Sequence, residues 1–127
     1  MTVHRDSLAE RLAGQLVAFL CTVRPDGSPH QTPVWFVFTD PMWWVATAAT
    51  NVKVRNVRAD ARVSLAVADP QAPIVAEGLA SIHPMPWPAQ VLAAFADKYG
   101  WDITDHRADG PRVLLGITMN RWVVPPP

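Results

Sequence analysis

A small group of hydroxyl and basic side chains lies near the middle of the chain, in the stretch TAATNVKVRN at residues 47–56. Between residues 51 and 62 the chain carries four cations and one carboxylate, namely Lys53, Arg55, Arg58, Arg62 and Asp60. This is a local charge of +3 (4 − 1), although the whole chain has formal net charge zero. A local cluster of this size is suited to one compact anion, such as a single phosphate.

The cluster coincides with the predicted start of a short helix. That helix is expected to begin near Val52, with Thr50 or Asn51 as its N-cap. The first N–H groups of a helix have no partner within it, and the positive end of the helix dipole lies there. Lys53 and Arg55 are therefore unfavourably placed unless an anion lies among them. Free amides, threonine hydroxyls and a lysine form a good phosphate receptor, and a solvated basic face is the alternative interpretation.

Length and composition limit the class of protein. A chain of 127 residues is long enough for one core, so residues 1–127 are expected to form a single domain. Half of the residues are hydrophobic and 17% are charged, a composition typical of a globular chain that covers apolar surface by oligomerising. Proteins whose main partner is nucleic acid need a broad basic face. A neutral chain lacks one, and we expect no nucleic-acid partner.

The cysteine content and the apolar segments bear on the compartment. Cys21 is the single cysteine, so it cannot form an intrachain disulfide, as is typical of a reducing compartment. The apolar run LVAFLCTV at residues 16–23 is too short to span a membrane. Asp6 and Glu10 precede it where a signal peptide would carry positive charge. We therefore expect a cytoplasmic protein without a membrane partner.

The sequence lacks the spacings of the common catalytic and metal-binding motifs. It contains no G-x-G-x-x-G, Walker loop, G-x-S-x-G or H-E-x-x-H, and its four histidines are scattered. We expect no metal site and no catalytic acid or base, and an enzyme of this kind obtains its chemistry from a cofactor. There are six tryptophans, of which most are expected in the core or a subunit interface and one or two along a pocket for a flat ligand.

The pattern of apolar and turn residues predicts a mostly β, α+β domain built around a small barrel. Six strands are predicted, at residues 15–24, 30–38, 42–48, 61–69, 73–83 and 111–124. Helices are predicted near the N-terminus, after the third strand and at residues 84–100. The first strand is apolar on both faces, which is typical of a barrel wall or of a strand covered by a second subunit.

Three residues mark irregular points in these strands. Pro33 interrupts the second strand and cannot donate a ladder hydrogen bond, so it indicates an edge position or bulge, or backbone that faces a ligand. Gly78 predicts a bulge or the close approach of another backbone. Glu77 is expected to face solvent or an ion-pair partner rather than to act as an acid.

Three blocks of sequence resemble a known superfamily. They are TVRPDGSPHQTPVWFVF (22–38), ATAATNVKVRNVRADARVSLAV (46–67) and VAEGLASI (75–82). In this order they are similar to the flavin-binding split-barrel superfamily of pyridoxamine 5′-phosphate oxidase. Within that superfamily they look most like the small reductases that use the deazaflavin coenzyme F420.

The resemblance implies a homodimer of six-stranded split barrels with two cofactor sites at the subunit interface. It implies that the segment after the third strand holds the cofactor phosphate, through Thr50, Lys53, Arg55 and Asn56. It also implies that the ring system lies along the backbone of the second and third strands, at Gln31, Thr32, Pro33, Val34, Trp35, Ala46, Thr47 and Ala48.

The resemblance further implies an oxidoreductase without a shared side-chain acid or base. Hydride would pass directly from reduced F420 to a small unsaturated or quinone-like substrate. Two alternatives stay open from the residues: an FMN-dependent enzyme like pyridoxamine-phosphate oxidase, and a protein that binds F420 or flavin without turnover. F420 and FMN both present a phosphate and a tricyclic ring, and these residues suit either.

Overall fold

The fold is a single antiparallel sheet with three helices, seen in a computed structural model that describes residues 5–70 and 72–124. The helices are α1 (Arg5–Ala13), α2 (Val52–Ala59) and α3 (Ala89–Tyr99). The strands are β1 (Ala18–Val23), β2 (Pro29–Val34), β3 (Val37–Thr39), β4 (Met42–Ala48), β5 (Arg62–Val67), β6 (Ile74–His83) and β7 (Arg112–Val124). The prediction of a mostly β, α+β chain is confirmed.

The sheet is curled into an open barrel. Its strand order is β2-β1-β5-β6-β7-β4-β3, so β2 and β3 are the two edges. Val34 of β2 and Val45 of β4 belong to one buried cluster, although four strands separate β2 from β4 in that order. The two ends of the sheet must therefore approach each other, as in a split barrel.

The predicted count of six strands is wrong, because the expected second strand divides into β2 and β3. Trp35 and Phe36 lie between them and carry the chain from one edge of the sheet to the other. The N–H of Phe36 donates to the Tyr99 hydroxyl (3.0 Å), and its carbonyl accepts from Lys98 Nζ (3.0 Å). Side chains of α3 thus replace the ladder bonds that a continuous strand would make.

Pro33 lies in the edge strand β2, opposite Phe19 of β1. An edge position was one of the predicted explanations for this proline, and it is confirmed. Proline is tolerated there because an edge strand has a neighbour on one side alone.

Two apolar clusters pack on opposite faces of the sheet. The inner one fills the curl of the sheet and includes Leu12, Leu20, Phe36, Trp43, Leu65 and Ile117. The other lies between α3 and the outer face of β4 and β7, and includes Trp44, Trp87, Val91, Phe95, Ile103 and Leu114. Trp43, Trp44 and Trp87 are buried, as expected for most of the tryptophans.

The outer face of β1, β5 and β6 is open in this single chain. Ala18 and Leu20 of β1 point inward and are buried, whereas Phe19 between them is 38% exposed and Leu79 of β6 is 49% exposed. A groove of about 720 Å³ runs over this face and over the end of β7. Beside it Glu77 accepts a hydrogen bond from Arg121 Nε (2.9 Å), which confirms the predicted ion-pair partner.

Gly78 marks a close approach between β6 and β7, as predicted. The pairing of the two strands shifts register between Glu77 and Gly78. A Cβ built on Gly78 would collide with the carbonyl oxygen of Thr118 and would lie 3.0 Å from Met119 Cα. Backbone cannot give way as a flexible side chain can, so glycine is required at this position.

The Gly78→Ala variant is expected to lose about 1–3 kcal/mol of unfolding free energy, the usual cost of overpacking. Urea denaturation followed by circular dichroism measures this. The control is Gly14→Ala, where the nearest atom to the new Cβ lies at 3.6 Å and an ordinary contact results. If Gly78→Ala matches that control, the close approach is not a constraint on this fold.

Candidate functional site

A cleft of about 180 Å³ opens where the two ends of the curled sheet approach each other. It is lined by Pro33, Val34, Trp35, Val45, Ala46, Thr47, Lys53 and Trp101. These residues come from strand β2 and the link that follows it, from strand β4, from the first turn of α2 and from the loop after α3. Six of the eight are residues that the sequence predicted for a cofactor site: Pro33, Val34, Trp35, Ala46, Thr47 and Lys53.

Two strand edges face this cleft. Strand β2 pairs with β1 on one side, and the sheet ends at β2. Strand β4 pairs with β3 at Met42–Trp44 alone, so Val45, Ala46 and Thr47 have their ladder partners on β7. Open strand edges present N–H and C=O groups that need hydrogen bonds. A flat molecule with donors and acceptors around its rim can hydrogen-bond to strand edges of this kind.

Lys53 supplies the charge in the cleft. Its side chain is buried, with 7% of the residue exposed, and it has no hydrogen-bond or ion-pair partner among residues 5–70 and 72–124. Burial desolvates the ammonium and lowers the pKa of Lys53 from the ordinary 10.5. A buried cation without a partner is costly, and an anion bound beside it would remove that cost.

The start of α2 strengthens this positive end. Asn51 is the N-cap, one of the two predicted, but its side chain makes no capping hydrogen bond and donates instead to Thr47 Oγ1 (2.8 Å). The first turn contains no acidic residue. The positive end of the helix dipole thus lies close to Lys53 with no carboxylate in that turn to offset it.

The other six predicted residues are not among those that line the cleft. Gln31, Thr50 and Arg55 are exposed, while Thr32 and Ala48 are partly buried. The hydroxyl oxygen of Thr32 is buried and has no hydrogen-bond partner within the described ranges. This orphaned oxygen lies in β2 next to Pro33, although Thr32 is not among the residues that line the cleft.

Asn56 is placed differently from the prediction. It is fully buried, and its Nδ2 donates to Thr22 Oγ1 (3.0 Å), which ties α2 to β1. Its Oδ1 is also buried and has no partner in the part of the chain that the structure covers. This placement gives Asn56 a structural contact beneath the helix, and its contact with a phosphate stays a prediction.

Sequence reasoning missed Val45 and Trp101. Val45 lies between residues that were predicted to line the ring. Trp101 belongs to the loop after α3 and reaches the cleft through tertiary packing. The sequence signal was general, because one or two of the six tryptophans were expected beside a pocket for a flat ligand. In the structure, Trp35 and Trp101 line the cleft.

No helix in the described chain is long and apolar enough to cross a membrane. Within those residues no three His, Cys, Asp or Glu side chains gather as a possible metal site. Asp102 bonds Thr104 in its own loop, through Oδ1 to the hydroxyl at 2.6 Å. The chemistry that the cleft itself presents is one cation, one threonine hydroxyl, two indoles and open backbone edges.

Comparisons with known proteins show what the chain is similar to. The sequence model of the family described as pyridoxamine 5′-phosphate oxidase matches residues 5–124. A solved structure named F420 reductase is 29% identical, with 96% of this chain and 98% of that chain covered and a TM-score of 0.73. A conserved hypothetical protein from Mycobacterium tuberculosis is 25% identical, covering 96% and 84% with a TM-score of 0.77.

Other similar structures share the fold at lower identity. HutZ, a haem storage protein from Vibrio cholerae, is 17% identical, with 92% of this chain and 90% of that chain covered and a TM-score of 0.76. At this identity the likeness concerns the fold alone. No curated protein sequence matches the chain.

Proposed function

The chain belongs to the pyridoxamine 5′-phosphate oxidase family, and from that premise we propose that it is an oxidoreductase that uses reduced coenzyme F420. Its substrate would be a small unsaturated or quinone-like molecule. The observation that carries the proposal is Lys53, a largely buried lysine that lines a cleft between two open strand edges and has no hydrogen-bond or ion-pair partner in the described chain. F420 is favoured over FMN because the 29% likeness to an F420 reductase spans nearly all of both chains.

The residues of the cleft fit such a cofactor. Lys53 would hold the phosphate, with Thr50 and Arg55 near the same helix start. The edges of β2 and of β4 at Val45–Thr47 would bind the rim of the ring. When bound, the reduced coenzyme would supply a hydride, and solvent would supply the one proton that completes the reduction. The chain's own part is to hold and orient the two reactants and to exclude water.

The proposed active form is a homodimer with its cofactor sites at the interface. The sheet face that carries Phe19 and Leu79 is open, whereas α3 covers the corresponding face of β4 and β7. Arg62, Glu77 and Arg121 line the groove on that face. A surface with apolar residues and charges of both signs can pair with a copy of itself about a two-fold axis. The single cysteine agrees with the cytoplasmic location that we propose.

Titration of the purified protein with F420 and with FMN tests the cofactor. Ligand fluorescence is followed in phosphate-free buffer, so that free phosphate does not compete. The proposal expects F420 to bind more tightly than FMN. Tight binding of FMN with none of F420 would assign the chain to the flavin enzymes, and binding of neither would refute the cofactor site.

Turnover separates an enzyme from a carrier of the cofactor. Reduced F420 is offered with a panel of quinones, enones and nitroaromatics. Its oxidation is followed by the return of the absorbance of oxidised F420. The proposal expects protein-dependent oxidation with at least one acceptor class. Binding of F420 without turnover of any acceptor would favour a protein that binds the cofactor without catalysis. The haem storage protein HutZ shares this fold and is described as a storage protein.

Cofactor affinity is expected to fall as the pH rises through the alkaline range. Burial lowers the pKa of Lys53 below 10.5, so its ammonium is lost at a lower pH than that of an ordinary lysine. The phosphate binds the protonated form, and the Kd therefore rises with pH in that window. The control is Lys53→Arg, which stays charged and should flatten the profile. An unchanged pH profile in that variant would place the titrating group elsewhere.

A further inference from the structure

Two adjacent side chains of α3 bond the backbone of the link between β2 and β3. The N–H of Phe36 donates to the Tyr99 hydroxyl (3.0 Å), and the Phe36 carbonyl accepts from Lys98 Nζ (3.0 Å). The Lys98 ammonium also lies over the Phe36 ring, 3.8 Å from its centroid. Both polar groups of this backbone position are therefore held by α3. Lys98 and Tyr99 together are called the α3 clamp below.

The α3 clamp also holds the end of α1 and the connection from α1 to β1. Lys98 Nζ donates to the Leu12 carbonyl in the last turn of α1 (3.1 Å), and the Tyr99 hydroxyl donates to the Leu16 carbonyl (2.9 Å). A lysine ammonium is favoured at the end of a helix, where carbonyls lack helical partners and the dipole is negative. The clamp thus joins the end of α1 and the β2–β3 link to one helix.

The β2 wall of the cleft depends on this link. Pro33, Val34 and Trp35 line the cleft, and the pairing of β2 with β1 ends at Val34, opposite Ala18. Strand β2 is an edge of the sheet and is paired on one side. Past Val34 the chain is held by the clamp, because the Tyr99 ring stacks on Trp35 with centroids 4.5 Å apart and the next residue is bonded at both backbone groups.

Helix α3 also packs against the strand that forms the opposite wall. Its residues Val91 and Phe95 are fully buried in the apolar cluster on the outer face of β4 and β7. Strand β4 lines the cleft with residues 45–47. The two walls are therefore connected through α3, and loss of the clamp would let the β2 wall move relative to the β4 wall.

We infer that Lys98 and Tyr99 are positioning residues for the cofactor, because they hold the β2 wall of the cleft in place and couple it to the end of α1. The inference rests on the proposed function, in which the edges of β2 and β4 bind the rim of the ring. A ring bonds both edges well when their spacing is preorganised, so a looser β2 wall weakens binding. Coupling is reciprocal, so a cofactor that favours the held wall also favours the docked end of α1.

Three variants test the α3 clamp. Lys98→Met keeps the apolar stem without a donor, and Tyr99→Phe keeps the ring that stacks on Trp35 without the hydroxyl. Lys98→Arg keeps a charged donor, and a cavity of about 310 Å³ beside Lys98 leaves room for the longer side chain. The control is Gln90→Met, because Gln90 is an exposed residue near the start of the same helix. Native mass and Tm are measured for every variant, and binding is compared well below the lowest Tm.

Fluorescence titration with F420 is the first measurement. Lys98→Met and Tyr99→Phe should bind F420 about three- to tenfold more weakly, a loss on the scale of one hydrogen bond. Lys98→Arg should recover most of the affinity, and the control should match the wild type. Full affinity in the first two variants would overturn the inference. So would an equal loss in Lys98→Arg and Lys98→Met, because the missing donors would not explain it. If Lys98→Met does not fold, Tyr99→Phe decides.

Hydrogen exchange in α1 separates positioning from a purely structural role. None of the cleft's lining residues belongs to α1. In the wild type, saturating oxidised F420 should nevertheless slow the exchange of the amides at residues 8–13. Lys98→Met at saturation should lose this effect and keep slowed exchange at residues 31–35. Unchanged α1 exchange in the wild type, or the same slowing in Lys98→Met, would refute the coupling.

The wild-type titration separates the inference from the proposed function. A wild type that binds neither F420 nor FMN refutes the proposed function, and the inference fails with it. A wild type that binds F420 as tightly as a folded Lys98→Met protein does refutes the inference and leaves the proposed function standing.

Discussion

Replacing Lys53 by methionine will weaken F420 binding while making the ligand-free protein more stable. The expected loss of affinity is about 1–3 kcal/mol, the scale of a charge-assisted contact. The stability should rise because most of the Lys53 side chain is buried, its ammonium has no partner in the described chain, and partial desolvation lowers its pKa. Methionine fills a similar volume with no charge to desolvate. The substitution would thus weaken cofactor binding and raise stability, so Lys53 favours function at the expense of stability.

Two measurements on one preparation check this prediction. Fluorescence titration gives the F420 affinity, and thermal unfolding in phosphate-free buffer gives the Tm, which should rise by a few degrees for about 1 kcal/mol. The matched control is Arg58→Met, since Arg58 is an exposed cation on the same helix. Both quantities should change little in that control. A Lys53→Met protein that binds F420 normally and unfolds at a lower temperature would show that Lys53 is structural.

The partial desolvation of Lys53 also determines whether the free energy of unfolding rises or falls with pH. The folded state holds the proton of Lys53 less tightly than the unfolded state, whose lysine has the ordinary pKa of 10.5. Between the two pKa values the unfolded state binds more protons, so the free energy of unfolding rises with pH there. Lys98 acts in the same direction, because burial lowers its pKa to about 8.

Placing a charge on the open sheet face will separate the subunits and abolish tight cofactor binding. Phe19 lies on the outer side of β1, where its ring would be buried against a second subunit in the proposed dimer. In Phe19→Asp a carboxylate would be buried there instead. An unpaired buried charge costs several kcal/mol. Since the cofactor sites are proposed to lie at the interface, F420 affinity should fall with the loss of the dimer.

Light scattering after gel filtration measures the mass, and titration measures the affinity. The wild type should have the mass of two chains and Phe19→Asp that of one. The control is Met85→Asp, because Met85 is 67% exposed, lies in the segment between β6 and α3, and is not among the residues that line the groove. It should remain dimeric and bind F420 normally. A monomeric wild type, or a Phe19→Asp dimer with full affinity, would contradict the proposed assembly.

The sequence predicted most of the strands because their signals are local. The turn at residues 24–29, the alternation in β5 and the glycine of β6 can each be recognised within a few residues. The division of the second strand could not be recognised in this way. It depends on Lys98 and Tyr99, which lie 62 and 63 residues from Phe36 in the chain and bond its backbone. Partners so distant leave no periodic signal at the break.

The same distinction holds in the cleft. Lys53 could be predicted because a cation at a helix start is unfavourable without an anion, and that is a local property. The burial of Asn56 could not be predicted, because it depends on a hydrogen bond to Thr22 of β1. In the sequence Asn56 lies among cations, a pattern typical of a residue exposed to solvent. Trp101 reaches the cleft through the packing of Phe95 and Arg112 against its ring, which no spacing within its own loop reveals.

A crystal structure of the protein with F420 tests the central claim most directly. The account predicts a phosphate oxygen within hydrogen-bond distance of Lys53 Nζ, and the deazaflavin ring between the edge of β2 and Val45–Thr47 of β4. F420 bound elsewhere on the chain, with Lys53 making no contact to its phosphate, would contradict the account.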